Sequence, residues 1–328
     1  MNACPESLRQ PRIFDDITQT IGHTPLIRLN RLARQHNWVT TPMAKVEYFN
    51  PAGSIKDRPA LAMLQQIMST PEFGPHTQII EASSGNNGVA CAWLGALFNI
   101  RVTIVIPEHM SVERQRLIRH YGAAVITTPR QYGTKGAIDK ARELVAATPG
   151  AVALDQFANP ANVQAHAHTT AQELLHDTGG RIDVLVAGIG TGGTLTGVAH
   201  TLKQHCSGLK VIAVEPARCP VLSEKRSGVH NIQGLSSGHI PDILDTQCID
   251  EIITVEDEDA ILFARQLATC EGMAVGISSG AAMHATARLC SMPEYRHQHI
   301  VTIFADGAER YFSTELFADF PTDNHPAE

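Results

Sequence analysis

The chain has 328 residues, 43% of them hydrophobic, and a formal net charge of −7. Length and composition suit a globular protein with two sizeable cores, and the acidic balance argues against nucleic acid, whose phosphates need a basic footprint. No stretch approaches the roughly 20 apolar residues that span a bilayer, and residues 1–12 carry no apolar signal core.

Short apolar, β-branched runs predict strands over 25–29, 43–49, 78–82, 102–106, 123–127 and 151–154 in the first half. In the second half they predict strands over 183–187, 210–214, 251–255 and 299–304. Helical spacing falls between them over 59–68, 111–121, 135–147, 257–271 and 281–289. Such alternation with continuous apolar strands implies parallel sheets covered by helices on both faces. The polar, turn-rich segment 156–169 reads as a crossover between two α/β units, with a ligand cleft at the C-terminal ends of the strands. His166 and His168 form an H-x-H pair inside it, but no Cys, Asp or Glu nearby completes a metal set, so no metal is expected. Seven scattered cysteines without a C-x-x-C fit a reducing cytoplasm better than a disulfide framework. The tail after Phe320 is polar and is expected to be loose.

Four segments carry candidate chemistry. Asn50-Pro-Ala-Gly-Ser-Ile-Lys-Asp-Arg58 turns into a helix, and a lysine at a helix start feels the positive end of the dipole, which favours the neutral amine a Schiff base needs. Ser83-Ser-Gly-Asn-Asn-Gly88 links a strand to a helix through a donor-rich loop suited to a carboxylate. Gly188-Ile-Gly-Thr-Gly-Gly-Thr-Leu-Thr-Gly197 follows a strand and opens a helix, an anion cradle of backbone N–H groups. Gly276-Ile-Ser-Ser-Gly280 opens another helix. The third segment has a rival reading. Gly188, Gly190 and Gly193 satisfy G-x-G-x-x-G, and Glu215 lies about 20 residues on, where a dinucleotide enzyme keeps its ribose-binding acid.

Taken in order, these segments resemble the cysteine synthase and cystathionine β-synthase family of fold-type II pyridoxal-phosphate enzymes. The likeness runs from Ile13 to Phe320 and includes Thr20-Ile-Gly-His-Thr-Pro-Leu-Ile-Arg-Leu-Asn30, P-E-H-M-S-V-E-R at 107–114 and N-I-Q-G at 231–234. It implies two three-layer αβα domains with mostly parallel sheets and a cofactor cleft between them. Residues 1–46 would pack with the larger domain, 47–158 would form a smaller mobile domain, and 159–328 the larger one.

The same resemblance implies roles. Lys56 would carry pyridoxal 5′-phosphate and act as the catalytic base; Asn86 would bond the 3′-oxygen of the pyridine ring. Gly190, Thr191, Gly192, Gly193 and Thr194 would cradle the phosphate, and Ser278 would contact the ring nitrogen. Ser83, Ser84, Asn87 and Gln156 would receive the substrate carboxylate. A neutral hydroxyl on the ring nitrogen makes a weaker electron sink, which suits expulsion of a β-substituent through α-aminoacrylate.

The expected activity is therefore β-replacement on an O-activated L-serine, with O-acetyl-L-serine and sulfide giving L-cysteine and acetate in a cytoplasmic homodimer. Where the family reads T-S-G-N-T-G, this chain has Ser83 and Asn87 in place of the threonines, and Pro59 follows K-D-R. Arg218, Lys225 and Arg226, should one face the cleft, would favour O-phospho-L-serine as donor, for cysteine or 2,3-diaminopropionate synthesis. Cystathionine synthesis, an NAD-dependent oxidoreductase and a non-catalytic binding relative are the remaining readings.

Overall fold

The computed structural model describes residues 13–83 and 85–318. A six-stranded sheet runs in the order β1 (Leu26–Arg28), β2 (Met43–Val46), β10 (Ile300–Phe304), β7 (Val184–Gly188), β8 (Lys210–Pro216), β9 (Glu251–Val255). Only the β1–β2 pairing is antiparallel. A second sheet of four parallel strands runs β5 (Ala124–Thr128), β4 (Arg101–Pro107), β3 (Gln78–Ala82), β6 (Ala151–Val152).

Both sheets are covered on both faces, as continuous apolar strands require. In the larger sheet Val184 and Val186 face α9 (Asp257–Gln266) and α10 (Ile277–Cys290), while Leu185 and Ala187 face α7 (Ala171–Thr178) and α8 (Gly193–His205). In the smaller sheet Ile79 and Ile104 face α2 (Asp57–Met68) and α3 (Asn86–Phe98), whereas Ile80 and Val105 face α5 (Gly133–Ala147). Each such fully buried Ile or Val side chain contributes about 1.5–3 kcal/mol of transfer free energy. This is the α/β class expected, with two mostly parallel sheets. Among the described residues no helix is long and apolar enough to cross a membrane.

Two expected strands end early and one expected helix changes its winding, each for a local reason. The strand expected over 43–49 stops at Val46, because Glu47–Phe49 forms a 3-10 turn that aims the Glu47 carboxylate at Arg58, 2.7 Å away. The strand expected over 151–154 has two residues; beyond it the backbone N–H groups of Leu154 and Asp155 turn onto the Glu81 carboxylate, 3.0 Å each. The helix expected over 257–271 closes in a π-turn, Leu267–Glu271. Segment 156–169, expected to be turn-rich, is largely helical. Asn159 caps α6 (Pro160–Ala165) by accepting from Ala161 N, proline occupies the first turn, and a π-turn over His166–Thr170 leads into α7. The helix α4 (Val112–His120) lies where it is expected.

Candidate active site

Where the two sheets face each other lies a cavity of about 820 Å³ lined from both. Lys56 lines it as the N-terminal cap of α2. The preceding chain is tied to the larger sheet, since Ile55 N donates to Ala305 O (2.8 Å) and Ser54 bridges to Asp306. Lys56 is half-buried, and the protein around its ammonium lowers its pKa to about 8 by desolvation, while the Asp306 carboxylate pulls the other way. Desolvation, not the helix end alone, is what makes the amine available.

The glycine loop lies opposite, between β7 and α8. Gly190, Thr191, Gly192 and Thr194 line the cavity, and Gly193 starts the helix. Gly192 has φ +83°, and a Cβ on Gly190 or Gly193 would collide with Gly234 O or Asn162 Oδ1. Bare backbone at a helix N-terminus thus points at an open space, the arrangement that receives a phosphate. Asn162 braces the loop, its Nδ2 donating to Thr191 Oγ1 (3.1 Å) and Gln156 O (2.8 Å). Thr194 Oγ1 is 3.1 Å from His166 Nε2, and His166 Nδ1 is 2.9 Å from Thr170 Oγ1. Burial holds His166 well below its ordinary pKa, as a neutral strut rather than a metal ligand. Ser278, in the first turn of α10, lines the cavity with a neutral hydroxyl.

Asn86, the first residue of α3, has both ends of its amide engaged: Nδ2 donates to Asp306 Oδ2 (2.6 Å) and Oδ1 accepts from Arg310 (3.0 Å). Asp306 Oδ2 also accepts from Tyr311 OH (2.7 Å) and from Arg114 (3.3 Å), whose guanidinium lies 4.3 Å above the Tyr311 ring and donates to Gln233. Arg310 further donates to Ala52 O.

The loop expected to receive a carboxylate is built from two segments. Ser83 Oγ accepts from Gly85 N (3.0 Å) and Gly88 N (2.8 Å), leaving its own proton for a ligand. Asn87 is buried, with Nδ2 on Glu81 Oε1 (3.2 Å) and no partner for Oδ1 among the described residues. Gln156 Nε2 donates to Ala82 O (2.9 Å). All three line the cavity, whereas Ser84 lies outside the described residues.

Other expectations fare differently. Glu215, the acid of the dinucleotide reading, is buried and spent on Leu222 N (2.8 Å), Ser223 N (3.0 Å) and Ser223 Oγ (2.6 Å), away from the cavity. Arg218 pairs with Glu258 and Arg226 with Glu224, and neither these nor Lys225 lines the cavity. Its cationic residues are instead Lys56, Arg114, Arg130 and Lys135; His109 and His230 also line it, burial holding both below the ordinary histidine pKa, and no carboxylate is among the described lining. Arg114, Asp306, Arg310 and Glu81 had no role assigned from sequence. Their one signal was charge at positions flanked by strand or motif residues.

The donor set fits pyridoxal 5′-phosphate: a neutralisable lysine, bare backbone at a helix start suited to a phosphate, and the neutral Ser278 hydroxyl in the same lining. Cysteine synthase A of Escherichia coli is 41% identical over 321 residues, 95% of this chain and 98% of that protein. Cysteine synthase B of Campylobacter jejuni is 40% identical over 307 residues, 94% of this chain and 100% of that one. The crystal structure of a cysteine synthase from Entamoeba histolytica shares its fold with a TM-score of 0.88 at 40% identity, over 93% of this chain and 91% of the other. Residues 17–306 match the model of the pyridoxal-phosphate dependent enzyme family, so the chain belongs to that family and pyridoxal 5′-phosphate is its cofactor.

Proposed function

We propose that this enzyme replaces the β-substituent of O-acetyl-L-serine with sulfide, making L-cysteine and acetate. The observation that carries the reading is one cavity in which Lys56, the glycine loop, Ser278 and the 83–87 loop converge. Lys56, Asn86, the backbone of Gly190 to Thr194 and Ser278 would hold the cofactor, which supplies an electron sink that acidifies Cα and lets the β-substituent leave. Lys56 Nζ, with its pKa lowered to about 8, takes the proton from Cα of the donor and later returns it. Ser83, Asn87 and Gln156 fix the donor carboxylate, which aims Cα at Lys56. Ser278 offers no charge that would stabilise a carbanion for long, so elimination outruns side reactions. The long identity to cysteine synthases supports sulfide as nucleophile, and a cytoplasmic homodimer is part of the same proposal.

A second donor is favoured by a specific observation: Arg130 and Lys135 both line the cavity, beside a His109 that burial and Arg130 hold neutral. Such cations suit the phosphate of O-phospho-L-serine. The test is a screen of purified protein, which should be yellow, with borohydride fixing the cofactor on Lys56. L-cysteine should form from O-acetyl-L-serine and sulfide; formation only from O-phospho-L-serine moves the donor, and formation from neither overturns the reading.

A further inference from the structure

A buried carboxylate bonded to the cavity-lining Asn87 and Gln156 stands outside the chemistry described so far. Glu81, the fourth residue of β3, is 2% exposed. Its Oε2 accepts from Leu154 N and Asp155 N, 3.0 Å each, and its Oε1 accepts from Gln156 N (3.3 Å) and Asn87 Nδ2 (3.2 Å). Four N–H donors on two oxygens use the carboxylate's acceptor sites in full. The donors come from two segments far apart in the chain, the start of α3 and the turn after β6. Since β6 has only two residues, no neighbouring strand serves Leu154 and Gln156, and both are buried. Removing the acceptor would strand those N–H groups without water.

We infer that Glu81 is a positioning residue for the donor carboxylate, clamping the Asn87 and Gln156 arms of that pocket into one unit. The inference rests on the carboxylate-loop role given above. An ionised Glu81 accepts from all four donors, whereas a protonated one presents an O–H to N–H groups and releases an arm. Burial raises its pKa to about 7, against the pull of its backbone donors. The ionisable groups facing it are Asp155 in the turn and the Cys91 thiol of α3, which burial and Glu81 hold well above its ordinary pKa. Its partner across the sheet is the apolar Ile104. Protonation thus loosens the pocket as pH falls through about 7.

The test uses the holoenzyme and the variant Glu81→Gln, whose amide turns an NH₂ toward donors. We expect KM for O-acetyl-L-serine to rise about tenfold, the size of one hydrogen bond to a charged group, with kcat within about twofold. Spectral titration should show weaker L-serine binding in the variant and unchanged binding of ethanolamine, which lacks the carboxylate. In the wild type, L-serine affinity relative to ethanolamine should fall between about pH 8 and pH 6, a window set by the raised Glu81 pKa. Equal weakening of both ligands, a loss in kcat alone, or a wild-type ratio flat with pH overturns the role. Should the variant not fold, the wild-type ratio decides. A wild type that makes cysteine while Glu81→Gln matches it defeats this inference alone; a wild type inert to every activated serine defeats the function and this role together.

Discussion

A lysine that is to exchange partners must spend time uncharged, and Lys56 is brought there by burial against the pull of Asp306. Its folded pKa of about 8 lies below the ordinary 10.5, so the neutral amine is populated on approaching pH 8 rather than above 10. The rate at which apoenzyme recaptures pyridoxal 5′-phosphate should therefore climb about tenfold per pH unit up to about pH 8 and then level off. Asp306→Asn removes the one anion that raises this pKa, and should move the levelling point to lower pH. It also replaces the acceptor that holds Asn86 Nδ2, so the resting visible spectrum should change as well. Stopped-flow absorbance against pH checks both; an unmoved midpoint would remove Asp306 from the account. Linkage has its own sign. Between about 8 and 10.5 the unfolded lysine binds a proton that the folded one does not, so this group makes the apoprotein more stable as pH rises through that window.

At the scale of elements, each strand sits where an apolar, β-branched run placed it, because a strand buried on both faces has no freedom of composition. What composition does not encode is the end of an element. Val46 and Val152 are followed by residues that could extend the strand, yet Glu47 and the 154–156 turn leave it to meet Arg58 and Glu81. The loop motifs were legible for the same reason as the strands: phosphate and carboxylate recognition need glycine and small donors at a helix start. The braces behind them were not, since Arg114 meets Asp306 across 192 residues and Glu81 holds the N–H of Asp155 across 74. Arg218, Lys225 and Arg226 show the converse, a tempting cluster whose exposed surroundings already supply Glu258 and Glu224. The start of α3 offers a test. Gly85 has φ +148° and a Cβ there would strike Arg114 Cδ, so Gly85→Ala must strain the backbone and displace the guanidinium from Asp306. Denaturant unfolding should show a loss of about 2–4 kcal/mol, and activity should fall with it.

At the scale of the molecule, the two sheets meet through buried charge as well as apolar surface. Arg58 of α2 bonds Glu47 after β2 and Glu173 of α7, and Glu173 also pairs with Lys45 at 2.8 Å. The arginine of K-D-R is thus a joint, one residue pair beyond the lysine it follows. These cations hold Glu173 down to about 2. A depressed carboxylate contributes stability that is present above about 4.5 and lost as pH falls toward 2. Glu173→Gln should cost about 1–3 kcal/mol at neutral pH, because it removes a shared anion while Arg58 keeps Glu47 and Lys45 keeps Asp177. The deficit should shrink on acidification, as wild-type Glu173 itself becomes protonated. Denaturant melts at neutral and acid pH would show the two proteins converging; parallel curves would mean that the joint holds by shape alone.

The cavity has a further consequence. In a molecule of net charge −7, a described lining with cations and no carboxylate makes the active site an anion well inside an anionic particle. Such a well draws in the phosphate of the cofactor before any contact is made, and once that phosphate is seated and Lys56 engaged, much of the field is spent. Recapture of pyridoxal 5′-phosphate by the apoprotein should therefore slow as ionic strength rises, which stopped-flow absorbance at graded salt would check.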